Sequence, residues 1–586
     1  MTKRKPSPPG LTAWQKAMVG DLRSIAARQF DDLQIIGGLA VADKGSITVR
    51  IRINAAPLTH AFGGLPLKET EEFVLTIHPS ALVPPTVDVD HVRFVGHAHV
   101  LQGQRLCIYL DPSREWDPLG GANAFLDRLW SWLADAASAR FNADTALYHA
   151  VGGVLHANKA NPTIVIRDFA PTAKAHMTYL TARTPRRLDL QRHRTEPTQD
   201  PAPVLALRSD LPFGAGTTLR DLVTIMDDPH LDQHLYKAPP APTQSPAFLT
   251  ALAAGAARKS HDTPQYFVLT VPHANGGPPH LLAGRVPAAG ANSLRKMVRH
   301  RTTPLIDIEP NNINPNINLE WCPVSDEREE VTTRRDTGSP VNGFEGKTVH
   351  VWGCGGLGSW IAEFVARAGA ARIVLCDPGR ITGGLLVRQN YLEKDVGDSK
   401  AEALARRLKM ISDNLEVEAY DATLPDEIDK LGAVDVVIDA TVSHAIARSL
   451  DGLARQPDRH AVIAQVATDV KSGTLGILTV SAPPSTDGPN AIDQQAGEVV
   501  LADGEMEAYH GLWTEPSDGD ELIPTRGCSV PTFHGSAADL AAVAATLTTF
   551  IGSHLGTIVS GTHLVALPHA AAPGPRHRFY PHPPSD

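Results

Sequence analysis

Apolar and polar positions alternate most regularly in S-I-T-V-R-I-R-I (Ser46 to Ile53), which predicts a β-strand with one face in a core. A helical pattern starts upstream, near Leu11, and Pro84-Pro85 interrupts the chain downstream. From Ala122 onward, Phe125, Leu129, Trp132 and Leu133 recur at helical spacing and predict a helix with one apolar side. The stretch from about Leu11 to Arg140 therefore reads as a small α+β domain. From roughly Phe141 to Asn342 the pattern is irregular, with turn-rich pieces such as A-P-P-A-P-T-Q-S-P and N-N-I-N-P-N-I-N. The strand-like P-Q-Y-F-V-L-T-V shows that part of it folds. Beyond it, apolar runs end on distinctive residues: the run from Val349 opens into G-C-G-G-L-G, A-R-I-V-L-C-D ends on Asp377, and V-D-V-V-I-D ends on Asp439. These fit strands of a Rossmann-like α/β domain. The late run from Ala537 to Leu567 carries Asp539, His554 and His563, so it reads as a buried helix and neighbouring strand rather than a membrane span.

The expected boundaries are 1–150 for the α+β domain, 151–340 for a linker domain, 341–570 for the α/β domain and 571–586 for a flexible tail. A chain of 586 residues is too long for one core, in keeping with several domains. Its formal charge of −10 argues against a general nucleic-acid binder and favours protein partners. Five cysteines, odd in number and without a C-x-x-C pair, form neither a disulfide framework nor a paired zinc site. The start M-T-K-R-K runs into P-S-P-P-G instead of an apolar core, so no secretion signal is read and a cytoplasmic, membrane-free protein is expected.

Chemistry concentrates between Val349 and Lys400. Gly353, Gly355, Gly356 and Gly358 allow backbone N–H groups to approach a phosphate at a helix N-terminus, and Asp377 stands where a ribose hydroxyl acceptor is expected. NAD would suit these residues equally well. Arg388, Gln389 and Lys400 shift the balance toward ATP, because a triphosphate being cleaved needs fixed positive charge on its oxygens.

G-C-G-G-L-G, Asp377, L-L-V-R-Q and G-D-S-K (Gly397 to Lys400), in that order, resemble the adenylating enzymes that activate ubiquitin-like and sulfur-carrier proteins, over roughly Gly343 to Leu567. That resemblance implies ATP and Mg2+ as cofactors and homodimers. Leu385 stands where the family has Asn, and Val442 where it has the Asp that helps hold ATP and magnesium. Asp439 is the nearest carboxylate to substitute as metal ligand. Cys528, in the Gly/Pro-punctuated T-R-G-C-S-V-P-T-F-H-G-S, occupies a position comparable to the family's reactive cysteine, with Arg526 close by to favour thiolate. Cys322, Cys354 and Cys376 read as buried structural thiols.

The first domain has its own constellation. Pro84-Pro85, His99, Cys107 and Trp116 resemble the order in ubiquitin-conjugating enzymes, including the step from His-Pro-Asn to the reactive cysteine. His99 stands at the Asn position and could donate to a tetrahedral intermediate; alternatively, His97 and His99 satisfy backbone groups in a loop. The whole chain resembles bacterial fusions of conjugating and activating modules found in antiphage CBASS operons. The resemblance implies that the C-terminus of a cGAS-like nucleotidyltransferase is the carrier and that a protein or small-molecule amine is the target. Two other readings stand beside it: a catalytically silent scaffold and an NAD-dependent oxidoreductase.

Overall fold

The structure, a computed structural model, describes residues 10–583 apart from 92, 95–96, 98, 102–104, 110, 142–159, 168–171, 173, 209–210, 212–217, 228–242, 273–278, 300–307, 329–335, 424–433, 442, 457, 515–533 and 571–573. The chain divides into two compact units, Met1–Thr333 and Arg334–Asp586. Three sheets organise them.

The first sheet is an antiparallel six-stranded one: β1 (Leu33–Val41), β2 (Ile47–Asn54), β3 (Thr70–Ile77), β4 (Thr86–Asp88), β5 (Val100–Leu101) and β6 (Arg105–Leu106), in the order β1-β2-β3-β4-β6-β5. The alternation predicted for β2 is realised, with Ile47, Val49, Ile51 and Ile53 buried. Helix α1 (Ala13–Arg28) begins at a capping box between Thr12 and Gln15, which satisfies two otherwise orphaned N–H groups. It meets α3 (Gly121–Ala137), reached through the short α2 (Pro112–Glu115). Phe125, Leu129, Trp132 and Leu133 of α3 join the β2 residues in one core.

The segment read as irregular is a mixed eight-stranded sheet. Its strands are β7 (Thr163–Ile166), β8 (His176–Thr184), β9 (Arg187–Gln191), β10 (Asp200–Ala206), β11 (Gln265–Val271), β12 (His280–Val286), β13 (Glu320–Cys322) and β14 (Val324–Asp326), ordered β13-β12-β11-β10-β8-β9-β7-β14. Helices α4 (Leu219–Met226), α5 (Ser245–Ala257) and α6 (Ala288–Arg299) accompany it. The Asn-rich run looks polar, yet Ile313 and Ile317 insert from it into the core beside α4 and α5. Two isoleucines anchor a segment whose composition suggested only turns.

The third sheet combines β15 (Thr348–Trp352), β16 (Arg372–Cys376), β17 (Glu416–Tyr420), β18 (Val436–Asp439), β19 (Val462–Thr468), β20 (Leu475–Ser481), β21 (Ser560–Ala566) and β22 (His577–His582) in the spatial order β17-β16-β15-β18-β19-β20-β21-β22. The first five are parallel and the last three antiparallel. Helices α7 (Gly358–Arg367), α8 (Lys400–Lys409), α9 (His444–Ala454), α10 (Pro489–Leu501) and α11 (Ala537–His554) complete it. The chain reverses direction across the sheet between β15 and β18, the crevice where doubly wound sheets hold ligands. The late apolar run is α11 and β21, and no helix among the described residues is long and apolar enough to cross a membrane.

The expectation of a flexible tail over 571–586 does not hold for His577–His582, which pair with β21 as the edge strand. Side chains make this strand adhere: Phe579 stacks on His563 at 4.3 Å, His577 Nε2 lies 3.0 Å from His563 Nδ1, and His582 pairs with Asp487 at 2.8 Å. Proline and glycine before the strand suggested disorder, but the alternating residues after them had a sheet edge to join.

Candidate active sites

In the α/β domain the glycine loop leaves β15 at its C-terminal end. Gly353 adopts φ +84° with its N–H bonded to Cys376 O at 2.8 Å, and a Cβ there would lie 2.8 Å from Ala440 O. At Gly358 a Cβ would lie 1.8 Å from Gly353 O. Both glycines are demanded by the fold itself. Gly356 is buried, while a Cβ on Gly355 would meet no protein atom within 4 Å. The glycine at 355 thus leaves open space at the loop, as a ligand phosphate requires. Helix α7 starts there without a side-chain cap, and the N–H groups of Ser359 and Trp360 in its first turn bond to Gly355 O at 3.2 Å and Leu357 O at 3.1 Å.

Asp377 follows β16, is buried, and accepts from Cys354 N–H at 2.7 Å and Gly379 N–H at 2.6 Å. It braces the loop while retaining lone pairs for a ribose. Gly379 is a residue the motif reading missed. A Cβ on it would lie 2.8 Å from Asp377 Oδ1 and 3.3 Å from Lys400 Nζ, so the glycine lets carboxylate and ammonium share one corner. Lys400 is the first residue of α8, and its N–H bonds to Gly379 O at 3.0 Å.

Arg388 and Gln389 are buried, and burial lowers the Arg388 pKa from its ordinary value. Gln389 Oε1 is a buried acceptor without a protein partner, a vacancy in its hydrogen bonding that a ligand donor would fill. Leu385, at the departure from the family motif, is half-buried and its carbonyl accepts from Arg388 and Gln389 N–H. The supports of this segment were invisible in the motif. Glu363 of α7 takes Asn390 Nδ2 and Arg407 Nε, each at 2.6 Å, and Tyr391 Oη donates to Cys354 O at 2.7 Å. Burial favours a neutral Glu363, but hydrogen bonds from Arg407, Asn390 and Arg367 outweigh it and hold its carboxyl below the ordinary value.

Asp439 ends β18 across the crevice, but it does not fit the metal role expected of it. The residue is wholly buried, accepting from Thr441 N–H at 2.9 Å, Thr441 Oγ1 at 2.6 Å and Gln465 Nε2 at 3.0 Å. Burial pushes its carboxyl above the ordinary range. No group of three metal-ligating side chains occurs among the described residues. Val442, Arg526 and Cys528 lie outside the described residues.

In the first domain Cys107 sits just beyond β6, half-buried, with its N–H bonded to His99 O at 2.8 Å. His99 has φ +60°, an uncommon conformation for a side-chain-bearing residue, and this turns its carbonyl toward the cysteine amide. The residue is 3% exposed, and its ring lies edge-on to Phe141 at 4.4 Å. The observed geometry makes His99 a backbone brace for Cys107; His97, half-buried, has its pKa lowered by burial. Trp116 donates to Ala81 O at 2.8 Å, joining the cysteine segment to the chain just before Pro84-Pro85. Arg128 of α3, unrecognised in the sequence, donates from Nε to Ile108 O at 2.9 Å and pairs with Glu115 at 3.2 Å.

Comparison with known proteins agrees with this division. Prokaryotic E2 family A matches residues 22–151, the Cap2 central linker domain matches 153–327, and the ThiF family matches 344–566. An ATP-dependent ubiquitin transferase-like protein Cap2 of Enterobacter hormaechei subsp. hoffmannii is 31% identical over 120 residues, 20% of each chain. A sulfur carrier protein adenylyltransferase of Thermus thermophilus is 34% identical over 97 residues, 16% of this chain and 36% of that one. Among solved structures, E. coli MccB with ATP is 17% identical, with a TM-score of 0.28, over 42% of this chain and 66% of that one. The chain spans only 20% of the length of the first curated relatives it matches. With its three segments in this order, the chain is a fusion of a ubiquitin-conjugating-like domain, a Cap2-type central linker domain and a ThiF-type domain.

Proposed function

We propose that this chain uses ATP to activate the C-terminus of a carrier protein and passes it through two thioesters to an amine. The observation that supports the reading is the open loop at Gly355 beside the corner where Gly379 brings Asp377 and Lys400 together, with Arg388 and Gln389 buried on the segment between them in sequence. A carboxylate is a poor electrophile. Its oxygen attacks the α-phosphorus of ATP, forming the acyl adenylate as the bond to pyrophosphate breaks. The glycine-loop amides, Arg388 and Lys400 stabilise charge on the phosphate oxygens, and Asp377 holds the ribose.

Cys528 thiolate then attacks the acyl carbon, and AMP leaves. Six residues later, His534 N–H bonds to Val470 O at 3.0 Å, and Ala537 N–H bonds to Val387 O at 2.7 Å, beside Arg388. Cys107 thiolate takes the acyl group by exchange and releases Cys528 thiolate. The target amine attacks this second thioester, forms the amide after losing a proton, and frees Cys107. Asp439 does not fit a magnesium site, so no step is drawn through the metal.

The proposed carrier is the C-terminus of a cGAS-like nucleotidyltransferase, the target a protein or small-molecule amine, the setting antiphage defence, and the working form a homodimer. Relatives bearing the Cap2 name and the Cap2-type linker support this choice. ATP–pyrophosphate exchange with that carrier tests adenylation. Lys400→Ala and Arg388→Ala should each lower it by at least about a hundredfold, the loss of several kcal/mol of charge stabilisation. Unchanged exchange in both variants would refute this assignment of the crevice.

A further inference from the structure

The central domain contains a cavity of about 540 Å³, apart from both sites above. Its wall forms where the paired strands β8 and β10 place Tyr179 opposite Pro201, where Arg258, Lys259 and Ser260 follow α5, and where Thr263 leads into β11. Arg194, Thr198 and Asp200 complete its polar side. The volume suits a small molecule, within the roughly 300–1,000 Å³ of such pockets.

Lys259 is an internal fixture. Its side chain is 4% exposed, with Nζ 2.8 Å from Asp200 and 2.6 Å from Pro264 O. Asp200 is the one acid on the wall and is already paired with this lysine. Arg194 is held by the carbonyls of Glu196 and Pro197, and Arg258 is exposed at the end of α5. Among the described residues, neither guanidinium has an acid within salt-bridge distance. The carbonyl end of α5 offsets only about half a charge. Positive charge therefore remains on a concave wall, where low-dielectric surroundings concentrate its field.

Planar guanidinium groups suit phosphate oxygens, and hydroxyls from Tyr179 and Ser260 extend the donor set, while those of Thr198 and Thr263 donate to Glu196 and to Ser260 O. The cations come from separate elements, a spread that favours an anion with several oxygens over one carboxylate. We propose that this cavity binds a phosphate-bearing small molecule in the size range from pyrophosphate to a nucleoside diphosphate.

The test uses the full chain carrying Lys400→Ala, so that binding at the ThiF-type crevice is suppressed. Sodium pyrophosphate and ADP are titrated separately by calorimetry at low salt. At least one should give saturable binding, weakened about tenfold or more by Arg258→Ala, with partial recovery in Arg258→Lys and further loss when Arg194→Ala is added. Raising the salt should weaken it too. Absence of saturable binding by both probes, or equal affinity in Arg258→Ala with its fold intact by circular dichroism, would overturn the site. Citrate binding more tightly than both probes would overturn the choice of phosphate.

Discussion

Burial and the nearby Glu115 carboxylate push the Cys107 thiol upward, while Arg128 pulls it down. The raised value sets the expected pH response: in a Cys528→Ser background, iodoacetamide labelling of Cys107 should accelerate about tenfold per pH unit between pH 7 and 8.5, as the thiolate fraction grows. Glu115→Gln keeps an oxygen for the Asp111 N–H but removes the charge, so labelling at pH 7.5 should quicken several-fold. An unchanged rate would discount Glu115. Asp439 gives a second residue-scale test. Asp439→Ala strands Thr441 and Gln465 donors and should cost roughly 1–3 kcal/mol in thermal unfolding, whereas Asp439→Asn keeps the oxygen that accepts from Thr441 and can donate to Gln465 Oε1 if that amide turns over. The sign with pH follows from the raised carboxyl value: the wild-type contribution is present below the unfolded carboxylate pKa and lost as pH rises through the folded value. Relative stability should therefore move in favour of Asp439→Asn from pH 4 to pH 8; the opposite trend would refute the buried-acid account. Sequence identified Cys107 and Asp377 as candidate polar positions, but side-chain identity could not disclose that Asp439 accepts from Thr441 and from Gln465 of the neighbouring strand or that His99 braces Cys107 through its backbone.

At the scale of the element, the glycine loop shows why like residues have unlike reasons. Gly358→Ala forces a methyl against Gly353 O and should destabilise the domain by more than about 3 kcal/mol, visible as a lower unfolding midpoint. Gly355→Ala meets no protein atom and should leave that midpoint within about 0.5 kcal/mol while slowing ATP–pyrophosphate exchange at least tenfold. Normal exchange in Gly355→Ala would mean that no phosphate approaches that position. The spacing of four glycines announced a nucleotide loop; only the return of the chain past Ala440 separates the two roles. Periodicity was similarly sufficient for β2 and α3, whose apolar faces bury as expected, because one local period decides the buried side. It failed in the central domain, where the sheet pairs strands distant in sequence and Ile313 and Ile317 act as isolated plugs.

For the whole molecule, the proposed route requires the two cysteines to act in order. Cys107→Ala should form a reducible carrier adduct at Cys528 without conjugate, and Cys528→Ala should stop at the adenylate. Non-reducing gels with ATP and carrier distinguish these products. Conjugate made by Cys107→Ala would sink the terminal role of the first domain, while conjugate made only on mixing the two variants would demonstrate transfer between chains. Domain order was legible because each catalytic segment is locally compact, but the contribution of the C-terminal residues depended on a distant partner. β22 covers the free side of β21, all seven of whose residues are buried. Shortening the chain after Ala570 would bare that row of amides and carbonyls, moving the sheet edge from β22, with its exposed Arg578 and Pro581, to the buried β21. Six residues that look dispensable in sequence thus decide which strand the sheet presents at its edge, and Pro581 and Arg578 on that strand are poorer templates for pairing than the apolar β21.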